Sequence, residues 1–109
     1  MTKFNEYQVE AMKNKIYGYG DKVIYPALGL GNEAGEVQGK IKKVLRDNGG
    51  DFNEENRAKI ADECGDVLWY LAALCEDIGY TLEQVAELNI KKLSSRRERG
   101  VISGSGDTR

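Results

Sequence analysis

The 109-residue sequence contains no histidine, two cysteines and a single proline. The lack of histidine removes the usual general base, the Ser-His and Cys-His nucleophiles, and the Glu-x-x-His half-sites of di-iron bundles. Cys64 and Cys75 lie on one expected helix, too far apart for a disulfide within the chain. Without a C-x-x-C motif they do not favour a zinc site, so we interpret both as small core residues.

Long apolar runs and an excess of charge of one sign are also missing. No run approaches the roughly 20 residues of a membrane span, and the N-terminal residues lack the apolar segment of a signal peptide. The 16 basic and 18 acidic side chains give a formal net charge of −2, so duplex nucleic acid is not an expected partner. We therefore expect a cytoplasmic protein that does not contact a membrane.

Hydrophobic periodicity predicts an all-α fold of four helices, similar to a four-helix bundle, because strand-like alternation is absent. The helices are expected from about residue 2 to 15, from 26 to 47, from just after 53 to 79, and from 81 to 99. We expect residues 1–102 to form one domain and the Gly/Ser-containing residues 103–109 to form a flexible tail.

Local capping signals support these helix ends. Pro26 suits the first turn of the second helix. Asn53 is a good N-cap for the third helix, and Gly79 is a good residue to follow its end. The sequence Thr81-x-x-Gln84 matches the capping box of a fourth helix.

Two pairs of acidic residues have the same spacing, Glu33-x-x-Glu36 on the second helix and Glu63-x-x-Asp66 on the third. Residues three apart lie on the same side of a helix. A helical wheel places both pairs on the same flank of the apolar stripe of their helix, so packing of the stripes could bring them together. The alternative is a solvated acidic face.

Four carboxylates in one small volume cannot all remain ionised without a cation. Carboxylate oxygens are ligands that Mg²⁺ or Mn²⁺ prefers. The pattern therefore favours a metal-dependent enzyme that acts on phosphates.

The third helix is apolar on more than one face between Val67 and Cys75. Such a helix must be buried on all sides, and three other short helices do not suffice to cover it. We therefore expect a homo-oligomer, a homodimer or a homotetramer.

Several further residues have a structural and a functional interpretation. The glycines at 29, 31, 35 and 39 indicate the close approach of another helix or of a ligand. Lys40 could form an ion pair with Glu36 or contact a phosphate. Basic residues near the end of the fourth helix, which include Lys92 and Arg96, could complement the helix dipole or bind phosphates.

Two segments together resemble the MazG-like nucleotide pyrophosphohydrolases, which are all-α enzymes. The segments are Gly29–Val37 and Glu63–Leu71, separated in the metal motif by the 26 residues from Val37 to Asp62. Residues Asn89–Arg97 are also similar to the segment that follows the metal motif in this family. Related dUTPase-like and phosphoribosyl-ATP pyrophosphatase branches have similar acids, so the resemblance does not identify the substrate.

The resemblance implies that magnesium ions bind Glu33, Glu36, Glu63 and Asp66, bridge a nucleoside triphosphate and activate a water. The products would be a nucleoside monophosphate and pyrophosphate. Glu33 or Glu36 would act as general base. The implied substrate contacts are Lys40, Tyr70, Asn89, Lys92 and Arg96, and residues 17–20 and Trp69 would help to form a pocket for the base.

A second hypothesis is a non-catalytic helical module that binds nucleotides or a protein partner. The complete set of four acids argues against it, because a binding module has little use for unpaired acids in one place. The sequence does not identify the preferred nucleobase or sugar.

Overall fold

The computed structural model describes residues 3–104 and residue 106, and these residues contain helices and no strand. The four α-helices are α1, Phe4–Met12; α2, Ile24–Asp47; α3, Glu54–Asp77; and α4, Leu82–Glu98. A short 3-10 turn, Tyr19–Asp21, precedes α2. The prediction of an all-α fold is confirmed. Part of the expected tail, residues 103–109, lies outside the described residues, namely residue 105 and residues 107–109.

The two longest helices, α2 and α3, pack along each other as an antiparallel hairpin. Gly29 lies against Tyr70, and Lys40 lies against Glu63, so residue numbers rise along α2 as they fall along α3. Helix α1 packs on both α3 and α4. Because α3 contacts each of the other helices, it needs apolar residues on more than one face.

The predicted capping signals at three helix ends are confirmed. The side chain of Asn53 accepts a hydrogen bond from the backbone N–H of Asn56 at 2.9 Å, at the start of α3. Gly79 follows α3 with a φ of +86°, in the left-handed region that favours glycine. Thr81 and Gln84 form the reciprocal hydrogen bonds of a capping box. Local sequence signals therefore determine these boundaries.

Two other boundaries differ from the prediction. Helix α1 ends at Met12 instead of Lys15, and its expected first residue, Thr2, is outside the described residues. The chain leaves the helical path because the side chain of Lys15 binds a carboxylate on α3. Helix α2 begins at Ile24, so that Pro26 lies within its first turn, where a missing N–H costs no hydrogen bond.

The small apolar core lies where α1, α3 and α4 meet. Ala72, Cys75 and Leu82 are buried there, and half-buried apolar side chains pack around them. The core interpretation of Cys75 is confirmed. That of Cys64 is wrong, because this residue is exposed on α3.

A buried glutamine links the three helices around this core. The side-chain amide of Gln8 on α1 donates to the carbonyl oxygens of Ala72 and Tyr80, at 3.2 and 3.3 Å. Its carbonyl oxygen accepts the N–H of Leu82 at 2.9 Å. Trp69 adds a second link, since its indole N–H donates to the carbonyl oxygen of Ala11 at 3.0 Å.

Asp77, near the end of α3, binds the segment that connects α1 to α2. Its carboxylate, which has no exposed side-chain surface, forms an ion pair with Lys15 at 2.6 Å. It also accepts hydrogen bonds from the hydroxyl of Tyr17 at 2.8 Å and from the N–H of Val23 at 2.9 Å. Val23 adopts a φ of +70°, which is unfavourable for a β-branched residue, so the Asp77 contact helps to maintain a strained turn.

These contacts change the pKa of Asp77 in a definite direction. Burial raises the pKa, but the hydrogen bonds from Lys15, Val23 and Tyr17 together outweigh it and hold the pKa below the ordinary value of 3.8. Since the folded pKa is the lower one, ionised Asp77 stabilises the fold above pH 3.8. This contribution is lost as the pH falls through the folded pKa.

We predict that Asp77→Asn lowers the free energy of unfolding by about 3 kcal/mol at neutral pH, because it removes the close, buried partner of Lys15 and leaves only Glu76, at 3.9 Å. Urea denaturation at a series of pH values measures this, and the difference from the wild type should shrink below pH 3.8. The matched control is Asp62→Asn, an exposed acid on the same helix. Equal losses in both variants would contradict the assigned role of Asp77.

Candidate metal centre

The packing of α2 on α3 brings three of the four predicted acids together. Glu33, Glu63 and Asp66, hereafter the acidic trio, each place one carboxylate oxygen within 4.8 Å of the others. Glu33 and Glu63 are half-buried, whereas Asp66 is exposed at the edge. Oxygens this close can bind one hard cation such as Mg²⁺.

The electrostatics of the acidic trio also suit a cation. The pKa of Glu33 is raised, first by partial burial and then by the negative charges of Asp66, Glu63 and Glu36. Each of these effects penalises the ionised form of Glu33. A divalent cation between the oxygens would offset the repulsion, so the residues present fit such a metal.

Glu36 does not join the other three predicted acids, and Lys40 does not pair with Glu36. Glu36 is exposed and lies outside the acidic trio, although its charge acts on Glu33. Lys40 does not form the considered helical ion pair with Glu36. Its ammonium lies 3.9 Å from a carboxylate oxygen of Glu63, across the hairpin, because tertiary packing offers it a half-buried acid.

Tyr70 lies beside the acidic trio, and its position depends on a glycine. A Cβ atom built on Gly29 would overlap the Tyr70 ring, so this ring occupies the space that a side chain would need. Burial, Tyr25, Glu33 and Asp66 all raise the pKa of Tyr70, in that order. Its hydroxyl, which is hydrogen-bonded to Tyr25, therefore stays protonated at neutral pH.

The predicted close approach at the glycine run is confirmed at Gly29 alone. A Cβ at Gly31, Gly35 or Gly39 would meet nothing within 4 Å in this chain. Tertiary packing therefore uses one of these glycines, and the helix pattern by itself does not distinguish it from the others.

A row of aromatic rings continues from Tyr70 away from the acids. Tyr25 lies 6.4 Å from Tyr70, and Tyr17 stacks on Tyr25 at 4.9 Å between ring centroids. Trp69 meets Tyr70 edge-on at 5.0 Å. Tyr25 is not among the residues predicted from the sequence, although it lies four residues before Gly29 and so on the same helix face. Tyr19, from the expected base pocket, is 87% exposed and outside this row.

The predicted substrate residues of α4 lie in a different part of the molecule. Asn89 and Lys92 line a cavity with Tyr80 and Leu88, and none of the four acids lines it. Arg96 is buried near the end of α4. Within one chain, therefore, these residues and the acidic trio do not line a common cavity.

The sequence model of the MazG nucleotide pyrophosphohydrolase domain matches residues 27–101, which include the acidic trio, Glu36 and the α4 residues above. The chain belongs to the MazG family. Its membership agrees with the all-helical architecture and with a cluster of acids suited to divalent metal, as the resemblance implied.

The MazG-family chain is also similar to a phage protein, the "Gene 37 protein" of Mycobacterium phage L5. The two are 45% identical over 109 aligned positions, which cover 94% of this chain and 96% of the phage protein. No solved structure matches the chain. Among the described residues, no helix has the length and apolar character needed to cross a membrane.

We predict that millimolar Mg²⁺ raises the melting temperature of the wild type by roughly 5 °C, because metal binds the folded state alone. In Glu33→Gln the metal-dependent rise should be lost. Its metal-free melting temperature should equal or exceed that of the wild type, since one repelling charge is gone. Differential scanning calorimetry with and without EDTA measures both quantities, and Asp62→Asn serves as the charge-matched control. A full metal response in Glu33→Gln would contradict the assignment.

We predict that Gly29→Ala destabilises the protein by roughly 1–3 kcal/mol, because the new methyl group displaces the Tyr70 ring. The control Gly35→Ala should stabilise it by roughly 1 kcal/mol through helix propensity, since its Cβ meets open space. Urea denaturation gives both values. Near-ultraviolet circular dichroism should report displacement of Tyr70 in the first variant, and shifts of the same sign in both variants would refute the packing argument.

Proposed function

We propose that this protein is a magnesium-dependent pyrophosphohydrolase that converts nucleoside triphosphates, ribo or deoxy, into monophosphates and pyrophosphate. The main observation in support is the convergence of Glu33, Glu63 and Asp66 in a chain of the MazG family. The absence of histidine is consistent with it, because this chemistry requires carboxylates and a metal.

In this proposal Glu33, Glu36, Glu63 and Asp66 hold Mg²⁺, and Mn²⁺ can replace it. When bound, the metal would neutralise charge on the phosphates and lower the pKa of a bound water. The half-buried positions of Glu33 and Glu63 restrict the motion of their carboxylates. The side chains are thus positioned before substrate arrives, which reduces the cost of ordering them.

Glu36 is the better of the two acids considered for the general base. Glu33 shares its environment with Glu63 and Asp66, whereas Glu36 is exposed one turn further along α2. A carboxylate oxygen of Glu36 would accept a proton from the attacking water and orient it towards phosphorus. Glu36, which lies outside the acidic trio, would then serve both as a metal ligand and as the general base.

Five other side chains are proposed to contact the substrate. The hydroxyl of Tyr70 can form a hydrogen bond to the substrate beside the acidic trio, and the row of aromatic rings that includes Tyr70 can stack with a nucleobase. Lys40 can contact a phosphate, since it already lies next to Glu63. The remaining contacts are assigned by the family resemblance to Asn89, Lys92 and Arg96.

We further propose that residues 1–102 form one domain that assembles as a homodimer or homotetramer. Large apolar side chains remain exposed on α2 and α4, including Leu28 at 71% and Ile90 at 64%. Burial of such side chains between chains would be favourable by about 25 cal/mol for each Å².

The proposed activity is tested with a panel of canonical and modified NTPs and dNTPs, by following pyrophosphate release with and without Mg²⁺. We expect release that requires metal. The double variant Glu36→Gln, Glu63→Gln should lower the rate at least about a hundredfold, because it removes the base and a ligand. Asp62→Asn, next to Glu63, should retain the wild-type rate.

No release above the double variant for any nucleotide would refute the enzymatic proposal. Tight nucleotide binding without turnover would then favour the non-catalytic module. Equilibrium dialysis with a non-hydrolysable triphosphate separates that result from a protein that does not bind nucleotides.

A further inference from the structure

The three tyrosines of the aromatic row, Tyr17, Tyr25 and Tyr70, come from different parts of the fold. Tyr70 lies on α3 beside the acidic trio, and Tyr25 lies in the first turn of α2, 6.4 Å from it. Tyr17 belongs to residues 13–23, hereafter the connecting segment, which contain a short 3-10 turn and no α-helix. Its ring stacks on that of Tyr25, with the centroids 4.9 Å apart and the planes inclined by 24°. The outer end of the row therefore depends on a segment that α-helical hydrogen bonds do not fix.

Asp77 binds the connecting segment at three points along its length. The carboxylate contacts the ammonium of Lys15, the hydroxyl of Tyr17 and the N–H of Val23, at 2.6, 2.8 and 2.9 Å. The ammonium of Lys15 also lies 4.9 Å from the centre of the Tyr17 ring. Because the Asp77 side chain has no exposed surface, water competes little for these contacts. One side chain of α3 thus holds the segment that carries Tyr17.

The contact at Val23 maintains a strained turn between the two stacked rings. Val23 has a φ of +70° and a ψ of −54°, and the N–H of Ile24 donates to the carbonyl oxygen of Lys22 at 2.8 Å. This is a γ-turn of the rare, strained kind, which persists only where surrounding contacts maintain it. Tyr17 precedes the turn and Tyr25 follows it. Relaxation of Val23 to a negative φ would therefore move one ring relative to the other.

Asp77 is remote from the acidic trio. Asp66 and Asp77 both lie on α3, and at 1.5 Å per residue they are roughly 16 Å apart along it. Asp77 is therefore too distant to bind a cation that the trio holds. A change at Asp77 should alter the aromatic row and leave the metal ligands in place.

We propose that Asp77 is a positioning residue for the nucleobase, because it holds Tyr17 against Tyr25 before a nucleotide binds. This proposal rests on the proposed function of the acidic trio. A ring that is already in place need not be ordered when the base stacks, so less binding free energy is lost. Every nucleobase has an aromatic face, so the row should raise the affinity for the nucleoside part of any nucleotide.

Calorimetric titration in the presence of Mg²⁺ separates the base from the phosphates, with a non-hydrolysable nucleoside triphosphate and inorganic triphosphate as the two ligands. Asp77→Asn should weaken nucleotide binding about tenfold, because the base loses a preformed stacking surface. The affinity for inorganic triphosphate, which has no base, should stay unchanged. The matched control is Glu76→Gln. Glu76 is the adjacent, exposed acid, 3.9 Å from Lys15, and this variant should bind both ligands like the wild type.

A double-mutant cycle tests whether Asp77 acts through the ring of Tyr17. Tyr17→Leu removes the ring and should show the same selective loss of nucleotide affinity. The double variant Asp77→Asn, Tyr17→Leu should lose no more than Tyr17→Leu alone, because the two changes remove one and the same stacking surface. In steady-state kinetics each variant should raise KM for the nucleoside triphosphate, with kcat little changed.

Circular dichroism below the melting temperature verifies that each variant is folded. If Asp77→Asn is not folded, Tyr17→Phe tests the same link, since it removes the hydrogen bond to Asp77 and keeps the ring. Tyr17→Phe should show a smaller selective loss, of about threefold. Wild-type affinity for the nucleotide in Tyr17→Phe would then overturn the proposal.

Three results with folded variants would overturn the proposal: equal nucleotide affinity in Asp77→Asn and the wild type, equal losses for the two ligands, or additive losses in the double variant. The proposed function stands in each case if NTP hydrolysis persists. Conversely, nucleotide binding that depends on Asp77, without hydrolysis of any NTP, would refute the proposed function and retain the positioning role. A wild type that binds no nucleotide would refute both.

Discussion

The antiparallel packing of α2 on α3 is the contact on which the rest of this molecule depends. It places Glu33 beside Glu63 and Asp66, which brings like charges within 4.8 Å of one another. This arrangement is unfavourable in itself, as the raised pKa of Glu33 indicates. The packing energy of two long helices must offset it, and a bound cation would turn the same repulsion into affinity for metal.

A glycine at the contact between α2 and α3 helps to determine how the two helices pack. Gly29 allows the Tyr70 ring to lie close to the backbone of α2, and this contact aligns the hairpin at its aromatic end. The Lys40–Glu63 contact lies further towards the loop that joins the helices. The relative positions of the aromatic row and the acidic trio both follow from this alignment, because each is formed from residues of both helices or of the segment before α2.

Buried polar side chains connect this hairpin to the remainder of the fold. Asp77 binds the segment between α1 and α2, and thereby places Tyr17 where it can stack on Tyr25. Gln8 joins α1 to the junction of α3 and α4. The apolar core is small, so these hydrogen bonds have an unusually large share in specifying the arrangement. Helix α1 and the segment after it therefore help to position the site, although neither contributes an acid to it.

The sequence by itself determined the helices, most of their ends and the identity of the acids. Periodicity and local caps such as Asn53 and Thr81 depend on neighbours within a few residues, so they can be read without knowledge of the fold. The repeated spacing of Glu33-x-x-Glu36 and Glu63-x-x-Asp66 is a local property of the same kind, and the family model agrees with it.

Only the tertiary structure decided which residues meet. The convergence of Glu33 with Glu63 and Asp66, the partner of Lys40, the use of Gly29 instead of Gly35, and the exposure of Cys64 each depend on the alignment of two helices. The end of α1 at Met12 depends on Asp77, a residue more than sixty positions away. A helical pattern specifies the face on which a side chain lies, but the atoms opposite that face belong to a distant part of the chain, and packing alone selects them.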